Sequence, residues 1–343
     1  MRLKLSESPT FAAMKAEGQI AKRPFKEAFA EWKNLKLVLV ALFSLMVAQG
    51  AVWYTAFFYS QTFMEKFLKV PPATINVLMM ALAILAAGLY VLFGALSDRL
   101  GRKTVMLFGI TLMLVAYFPG FHMLSRTLNP ALAEAEQRTP VVVVSDPTQC
   151  RLQFDPVGKA AFTSACDLAK STLANAGVSY RNADGPTGAP AQVKVGEVVV
   201  TSQAVTGLPA AEAKAVKAKV EADIKGALKN AGYPTVADPK RMNLVGAFFV
   251  MSIFVVAATA LYGPLAASLV ELFPTRIRYT AMSLPYNVGT GWVGGFVPFT
   301  AFAIVASVGD IYSGLWFPFA WTALAVVVGF LFLPETKGRD LNF

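Results

Sequence analysis

Histidine occurs once in this 343-residue chain and cysteine twice. A zinc or iron–sulfur centre takes three or four such ligands, so too few exist for one, and a Ser-His-Asp set cannot be assembled convincingly around a single imidazole. No metal, no cofactor and no enzymatic activity are therefore expected. Charge is scarce as well: 15% of the residues are Asp, Glu, Lys or Arg and 55% are apolar, whereas a water-soluble domain carries about a quarter charged residues. The mean hydropathy of +0.52 agrees. The solvent implied by these shortages is a lipid bilayer.

The charged residues that do occur are separated by long empty gaps: Lys36 to Glu65, Lys69 to Asp98, Lys103 to Arg126, Arg241 to Glu271, Arg278 to Asp310 and Asp310 to Glu335. Each exceeds the roughly 20 residues a helix needs to cross the hydrocarbon layer. Six transmembrane helices are expected near 37–59, 74–96, 104–124, 243–270, 281–305 and 313–334. A β-barrel wall alternates apolar and polar residues, but these runs are apolar on every face. The fold class is an all-α polytopic membrane protein with a small α/β extramembrane insertion.

Orientation follows from the basic residues, which are retained in the cytoplasm when they flank a span. Arg2, Lys4, Lys15, Lys22, Arg23, Lys26, Lys33 and Lys36 precede the first span; Arg99, Arg102 and Lys103 follow the second; Arg276 and Arg278 follow the fourth. The opposite turns hold only Lys66 and Lys69, or none. Both termini are expected in the cytoplasm, and the net charge of +10 reads as a topology signal rather than as a nucleic-acid surface. Residues 1–36 lack a continuous apolar core and read as a cytoplasmic leader, not a cleaved signal peptide.

Residues 125–242 are too long and too patterned for a loop. Strands are expected at 141–144 and 193–200, helices at 157–176 and 209–231, and a turn or linker at 182–190. Val216, Val220, Ile224 and Leu228 recur every four residues, with Lys214, Lys217, Lys219, Lys225 and Lys229 on the other face, a helix that packs on a sheet. Counting crossings puts this unit outside the cytoplasm. Cys150 and Cys166 both fall in it. In an oxidising compartment they would pair, closing a loop worth ~3 kcal/mol of unfolded-state entropy; two buried free thiols are the alternative. A bacterial periplasm, and hence the inner membrane, suits this placement.

The turn after the second span runs Gly94-Ala95-Leu96-Ser97-Asp98-Arg99-Leu100-Gly101-Arg102-Lys103. Gly94 and Gly101 let two helix ends approach and reverse. Asp98 is placed to cap free N–H groups or to pair with Arg99 or Arg102. This turn resembles the G-x-L-x-D-R-x-G-R-K motif of the major facilitator superfamily. Glu271-Leu272-Phe273-Pro274-Thr275-Arg276-Ile277-Arg278 is similar to the E-x-x-P-T-x-x-R turn of sugar-porter-like members, and Pro334-Glu335-Thr336-Lys337-Gly338 to their closing PETKG. Residues 5–11 and 284–289 resemble the metabolite:proton symporter branch, which carries organic acids, betaines and related metabolites.

That resemblance covers residues 1–124 and 243–343 and implies half of a twelve-helix transporter. Residues 1–36 match the central loop, 37–124 three spans, 243–334 three more and 335–343 a cytoplasmic tail, with 125–242 inserted. The implied partners are a small-molecule substrate, protons, lipid and a missing amino-terminal six-helix half. It also implies that the first, second, fourth and fifth spans line the pathway. Since none of the spans contains an ionisable Asp, Glu, Lys or Arg, a coupling carboxylate belongs to the other half. His122, near the outer end of the third span, reads as interfacial.

Uncharged polar groups remain as candidate substrate contacts: Gln49, Tyr54, Tyr262, Tyr286, Asn287 and Trp292. Each could serve a solute or a neighbouring helix, because a polar group in lipid must find a partner. Gly289, Gly291, Gly294, Gly295 and Gly263-Pro264 allow bending or close packing alike. The cytoplasmic candidates, Gly94, Asp98, Arg99, Gly101, Arg102, Lys103, Glu271, Arg276, Arg278 and Glu335, are expected to form a clamp in which Glu271 and Glu335 accept hydrogen bonds from Arg99, Arg102 or Arg276. The function expected is proton-coupled transport of a small polar or anionic metabolite by alternating access. A membrane-anchored solute-binding or sensing protein built on 125–242, and an inactive truncated transporter, are the alternatives.

Overall fold

The structure is a computed structural model that describes residues 16, 21–157, 160 and 162–339. The leader motif at 5–11, most of the leader before residue 21 and the end of the tail lie outside the described residues. Among the described residues, six helices are long and apolar enough to cross a membrane: Trp32–Phe67, Pro72–Leu100, Arg102–Leu128, Leu244–Leu272, Arg278–Val308 and Ser313–Phe332. The first five run past the limits set by hydropathy, because polar flanks continue the helical hydrogen bonding beyond the apolar stretch. At 36 residues the first span is about 54 Å long by helical rise, against a hydrocarbon core of about 30 Å.

The first span is also the central one. Some 72% of its most apolar window is buried, against 22% for the second and 28% for the sixth. Val77, Met80, Ile84 and Val91 on the second span, and Val327, Phe330 and Leu331 on the sixth, are left exposed, a surface that requires lipid or another apolar wall. The protein is an integral membrane protein. Much of the first span is wound wider than an α-helix, over Ala41–Met46, Gln49–Trp53, Thr55–Tyr59 and Phe63–Phe67, and the fifth does the same over Asn287–Gly294. Ser60 supports one such turn by donating to the Thr55 carbonyl five residues back (2.7 Å).

The fourth span breaks at Gly263-Pro264 into Leu244–Tyr262 and Leu265–Leu272, since Pro264 supplies no N–H to the helix ladder. Asn243 caps its start by accepting from Gly246 N (2.8 Å).

Between the third and fourth spans, four strands form one sheet: β1 (Val141–Ser145), β2 (Tyr180–Asp184), β3 (Gln192–Val195) and β4 (Val198–Thr201), in the order β2-β1-β3-β4. β1 and β2 are parallel, the other pairs antiparallel. A parallel pair needs a crossover, and the helix Ala165–Ala176 supplies it, capped by Ser164 and closed by Gly177 in the left-handed region (φ 72°). In the helix Ala210–Asn230, Val220, Ile224 and Leu228 are buried.

Three sequence expectations are corrected here. The run 193–200 is two strands, because Gly196 (φ 59°) turns the chain between them. Asn182 to Asp184 belong to β2 rather than to a linker, held by register against Val143 to Ser145. The helix expected at 157–176 begins only at Ala165; residues 158, 159 and 161 are outside the described residues. Cys150 and Cys166 form a disulfide.

This unit sits directly on the bundle. Tyr180 N donates to Gly309 O (2.6 Å), Ala237 N to Lys69 O (3.0 Å), and the Asn182 amide to Ser307 O and Val308 O. Gly177 packs on the Phe67 backbone and Gly309 on Tyr180, each with no room for a Cβ. The first and fifth spans are thus tied at the same end through the sheet and its crossover helix.

Candidate functional site

The wide turns of the first and fifth spans meet at mid-depth. A Cβ on Gly50 would strike Gly289 O, one on Gly289 would strike the Met46 backbone, and one on Gly294 would strike the Tyr54 ring. The glycines of the fifth span therefore divide: Gly289 and Gly294 serve close packing, while Gly291 and Gly295 have open space around them. Beside this crossing the Thr290 hydroxyl donates to Gln49 Oε1 (2.8 Å). Gln49 is 3% exposed, so its carbonyl joins the two helices rather than facing an open cavity.

The other membrane candidates are more accessible. Tyr286, Asn287 and Trp292 are exposed and Tyr54 and Tyr262 half-buried. Asn287 donates to Ser283 O one turn back (2.8 Å). Two residues not singled out from the sequence join them: the Trp53 indole donates to the Tyr90 hydroxyl (2.9 Å), and both rings lie against Tyr262. An isolated aromatic in an apolar run carries no periodic signal, so nothing local marks Trp53 or Tyr90.

At the end of the bundle away from the sheet, several of the clamp candidates form one network. Gly101 adopts φ 102° between the second and third spans, a conformation that favours glycine. It brings the first N–H groups of the third span onto Glu335. Oε1 of Glu335 accepts from Arg102 N (2.8 Å) and Oε2 from Lys103 N (3.1 Å). A carboxylate from the far end of the chain thus caps this helix at its positive pole. The Arg102 side chain pairs with Asp98 and with Glu271, the latter at 3.3 Å, and donates to Ser97 Oγ (2.7 Å). Thr336 donates to Glu271 (2.9 Å), and Lys337 to Arg99 O (2.7 Å).

Two clamp candidates lie elsewhere. Arg276 pairs with Glu27 of the leader (3.5 Å), because the helix Pro24–Phe29 passes alongside it. Arg278 donates to Phe273 O (3.1 Å), fixing its own turn. Lys103 reaches Phe330 O (3.1 Å). Gly94 differs from expectation too: a Cβ there would meet nothing, and the close approach belongs to Gly263, packed near Tyr90 O and Gly94 N. Ser97 and Thr336 lie inside the quoted motifs, but only the fold shows that they complete the network. At the end of the bundle that carries the sheet, His122 is exposed and its ring lies against Tyr312, centroids 3.7 Å apart.

The profile of the Major Facilitator Superfamily matches residues 9–133, and that of "Sugar (and other) transporter" matches 227–342. A Haemophilus influenzae protein named for metabolite transport is 37% identical over 110 residues, which is 32% of this chain and 25% of that protein. A second one from that organism is 36% identical over 84 residues, 24% of this chain and 18% of the relative. A Staphylococcus aureus protein named for proline and betaine transport is 28% identical over 128 residues, 36% of this chain and 26% of its own length. The chain thus matches about a quarter or less of the length of these relatives. No solved structure matches it.

Proposed function

The chain belongs to the major facilitator superfamily, and we propose that it forms one six-helix half of a secondary transporter. It moves a small polar or anionic metabolite, an organic acid, a betaine or a similar solute, by alternating access coupled to protons. The observation that carries this reading is that the first, second and fourth spans bring the half-buried Trp53, Tyr90 and Tyr262 together, with Tyr286 and Asn287 exposed on the fifth. Solute passes between the side these residues mark and a second six-helix body, which also carries the titrating carboxylate. The Glu271–Arg102–Asp98 group and the Glu335 cap act as a cytoplasmic latch, since partly exposed ion pairs and end caps can be broken and remade at low cost. Gln49, Tyr54 and Trp292 support this face.

The membrane is the bacterial inner membrane. Both termini and the Asp98 turn face the cytoplasm, and the disulfide-bearing unit faces the oxidising side. Uptake of labelled proline, glycine betaine and succinate into membrane vesicles from the source cell, with and without this chain, tests the reading. Uptake that needs the chain and collapses with a protonophore is the expected result. Solute binding by the outer unit with no change in flux overturns it and leaves an anchored binding protein. Labelling of Asp98→Cys from outside would overturn the orientation.

A further inference from the structure

We propose that the sheet-bearing unit is a plug: it descends the exposed side of the fifth span into the membrane, and Phe154 at its tip shields that side from the compartment the sheet faces. Its role in a solute route rests on the transport reading; its seat in the membrane does not. The contacts run down one helix. Tyr180 N bonds Gly309 O, the Asn182 amide bonds Val308 O and Ser307 O, and the Tyr180 hydroxyl donates to Ala306 O (2.5 Å). The crossover helix Ala165–Ala176 packs along Gly295–Val308 and against Phe63–Phe67. Farthest down, the Phe154 ring lies 5.8 Å from that of Phe296. Phe296 precedes Gly309 by 13 positions, about 20 Å of helix.

The depth of that contact follows from the neighbouring span. Ser313–Phe332 has 20 residues, about 30 Å of helix, which just matches the hydrocarbon layer. The short turn joining it to the fifth span therefore marks the edge of the lipid, and Phe296 lies near the middle. The tip is held at that depth by the crossover helix: Arg151 N donates to Asp167 Oδ1 (2.8 Å) and the Gln153 amide to Asp167 O (2.7 Å), with Gln153 and Asp167 buried. Lipid is not a suitable surrounding for this segment. Irregular backbone within the hydrocarbon region is tolerated only against protein or water, and Arg151 and Asp155, which flank Phe154, are costly in lipid. Trp292, Phe296 and Phe299 share one side of the fifth span and are exposed. That side therefore lines a cleft, and the plug fills the part nearest the sheet. Gly291, farther along the span, has open space around it, so the cleft continues beyond the tip.

Two measurements on the full chain in sealed membrane vesicles test this. A p-benzoylphenylalanine placed at position 154 should, on illumination, cross-link to the fifth-span peptide that contains Phe296. Cross-links confined to lipid or to the sheet-bearing unit overturn the proposal. In the second, Gly291→Cys supplies the one free thiol, since Cys150 and Cys166 are paired, and an impermeant maleimide is added to each side of the membrane in turn. Adding Phe154→Ala should speed labelling about tenfold, the scale of one lost aromatic contact with its buried area, and only from the side that bears the sheet. An unchanged rate, or an equal rise from both sides, overturns the plug. Size-exclusion profiles check the fold of each variant, and if one fails to fold the other decides. Loss of chain-dependent uptake with cross-link and shielding intact would sink the transport reading and leave the plug in its seat; uptake with neither would do the reverse.

Discussion

The two ends of the helix bundle are held by different physics. At one end the sheet-bearing unit meets the first and fifth spans through backbone: Gly177 on Phe67, Gly309 on Tyr180, and the bond from Tyr180 N to Gly309 O. At the opposite end the helices meet through side-chain charge: Glu271 with Arg102, and Glu335 with the start of the third span. Backbone contact at glycine tolerates almost no displacement. Charge at a partly wet surface is graded and adjustable. A bundle that opens and closes would be expected to yield first at the second kind of end.

The sharpest way to break this contrast is one methyl group at each end. Gly309→Ala combines a left-handed φ of 93° with a Cβ driven into the Tyr180 backbone, and should cost about 2–4 kcal/mol. Gly338→Ala, at φ 77° with nothing near its Cβ, should cost about 1 kcal/mol from conformation alone. Thermal unfolding of both variants in detergent measures the difference; equal midpoints would show that the outer contact is not tight.

Next in size, reducing the Cys150–Cys166 bond should remove about 3 kcal/mol or less from the outer unit. Hydrogen exchange should then quicken in β1 to β4 while the capped start of the third span stays as protected as before. Exchange rising equally at both ends would mean that they are one cooperative unit.

Smaller again is the pair of Arg102 and Glu271. A double-mutant cycle with Arg102→Gln and Glu271→Gln should give a coupling of about 1 kcal/mol that shrinks with added salt. Absence of coupling would remove Glu271 from the latch. Glu335→Ala should cost about 1 kcal/mol through the lost cap, without altering the outer unit's exchange.

The smallest effect concerns Glu136, which accepts from Ser179 N (3.0 Å) and whose pKa burial raises above the ordinary 4.5. A carboxyl with a raised folded pKa binds more protons in the folded state, so stability falls as pH climbs from about 4.5 through the raised value. Glu136→Gln should flatten that slope in urea titrations of the whole chain, and an unchanged slope would assign it to other groups.

Much of this contrast was legible in the chain beforehand. Empty gaps between charges give the spans, because burying an ionised group in lipid is prohibitive and twenty apolar residues match its thickness. The order of Gly101, Arg102, Glu271 and Glu335 in three motifs pointed to one cytoplasmic cluster. Less legible was the outer unit: Gly196 looked like part of a strand, and Asn182 to Asp184 looked like a linker until β1 fixed their register. Hydropathy could not distinguish Arg276, drawn to Glu27, from Arg102, drawn to Glu271, since both are basic residues at a helix end.

Sequence by itself determined what must sit in lipid, the order and approximate place of each span, and that two cysteines share one unit outside the spans. Those properties are local sums over side chains, insensitive to neighbours. Tertiary structure alone decided that Gln49 bonds Thr290, 241 positions away, that Glu335 caps a helix 233 positions earlier, and that the separated rings of Trp53, Tyr90 and Tyr262 converge. Such partnerships depend on how closely Gly50, Gly289 and Gly294 let the backbones approach, and distances of that kind emerge only once the helices are packed.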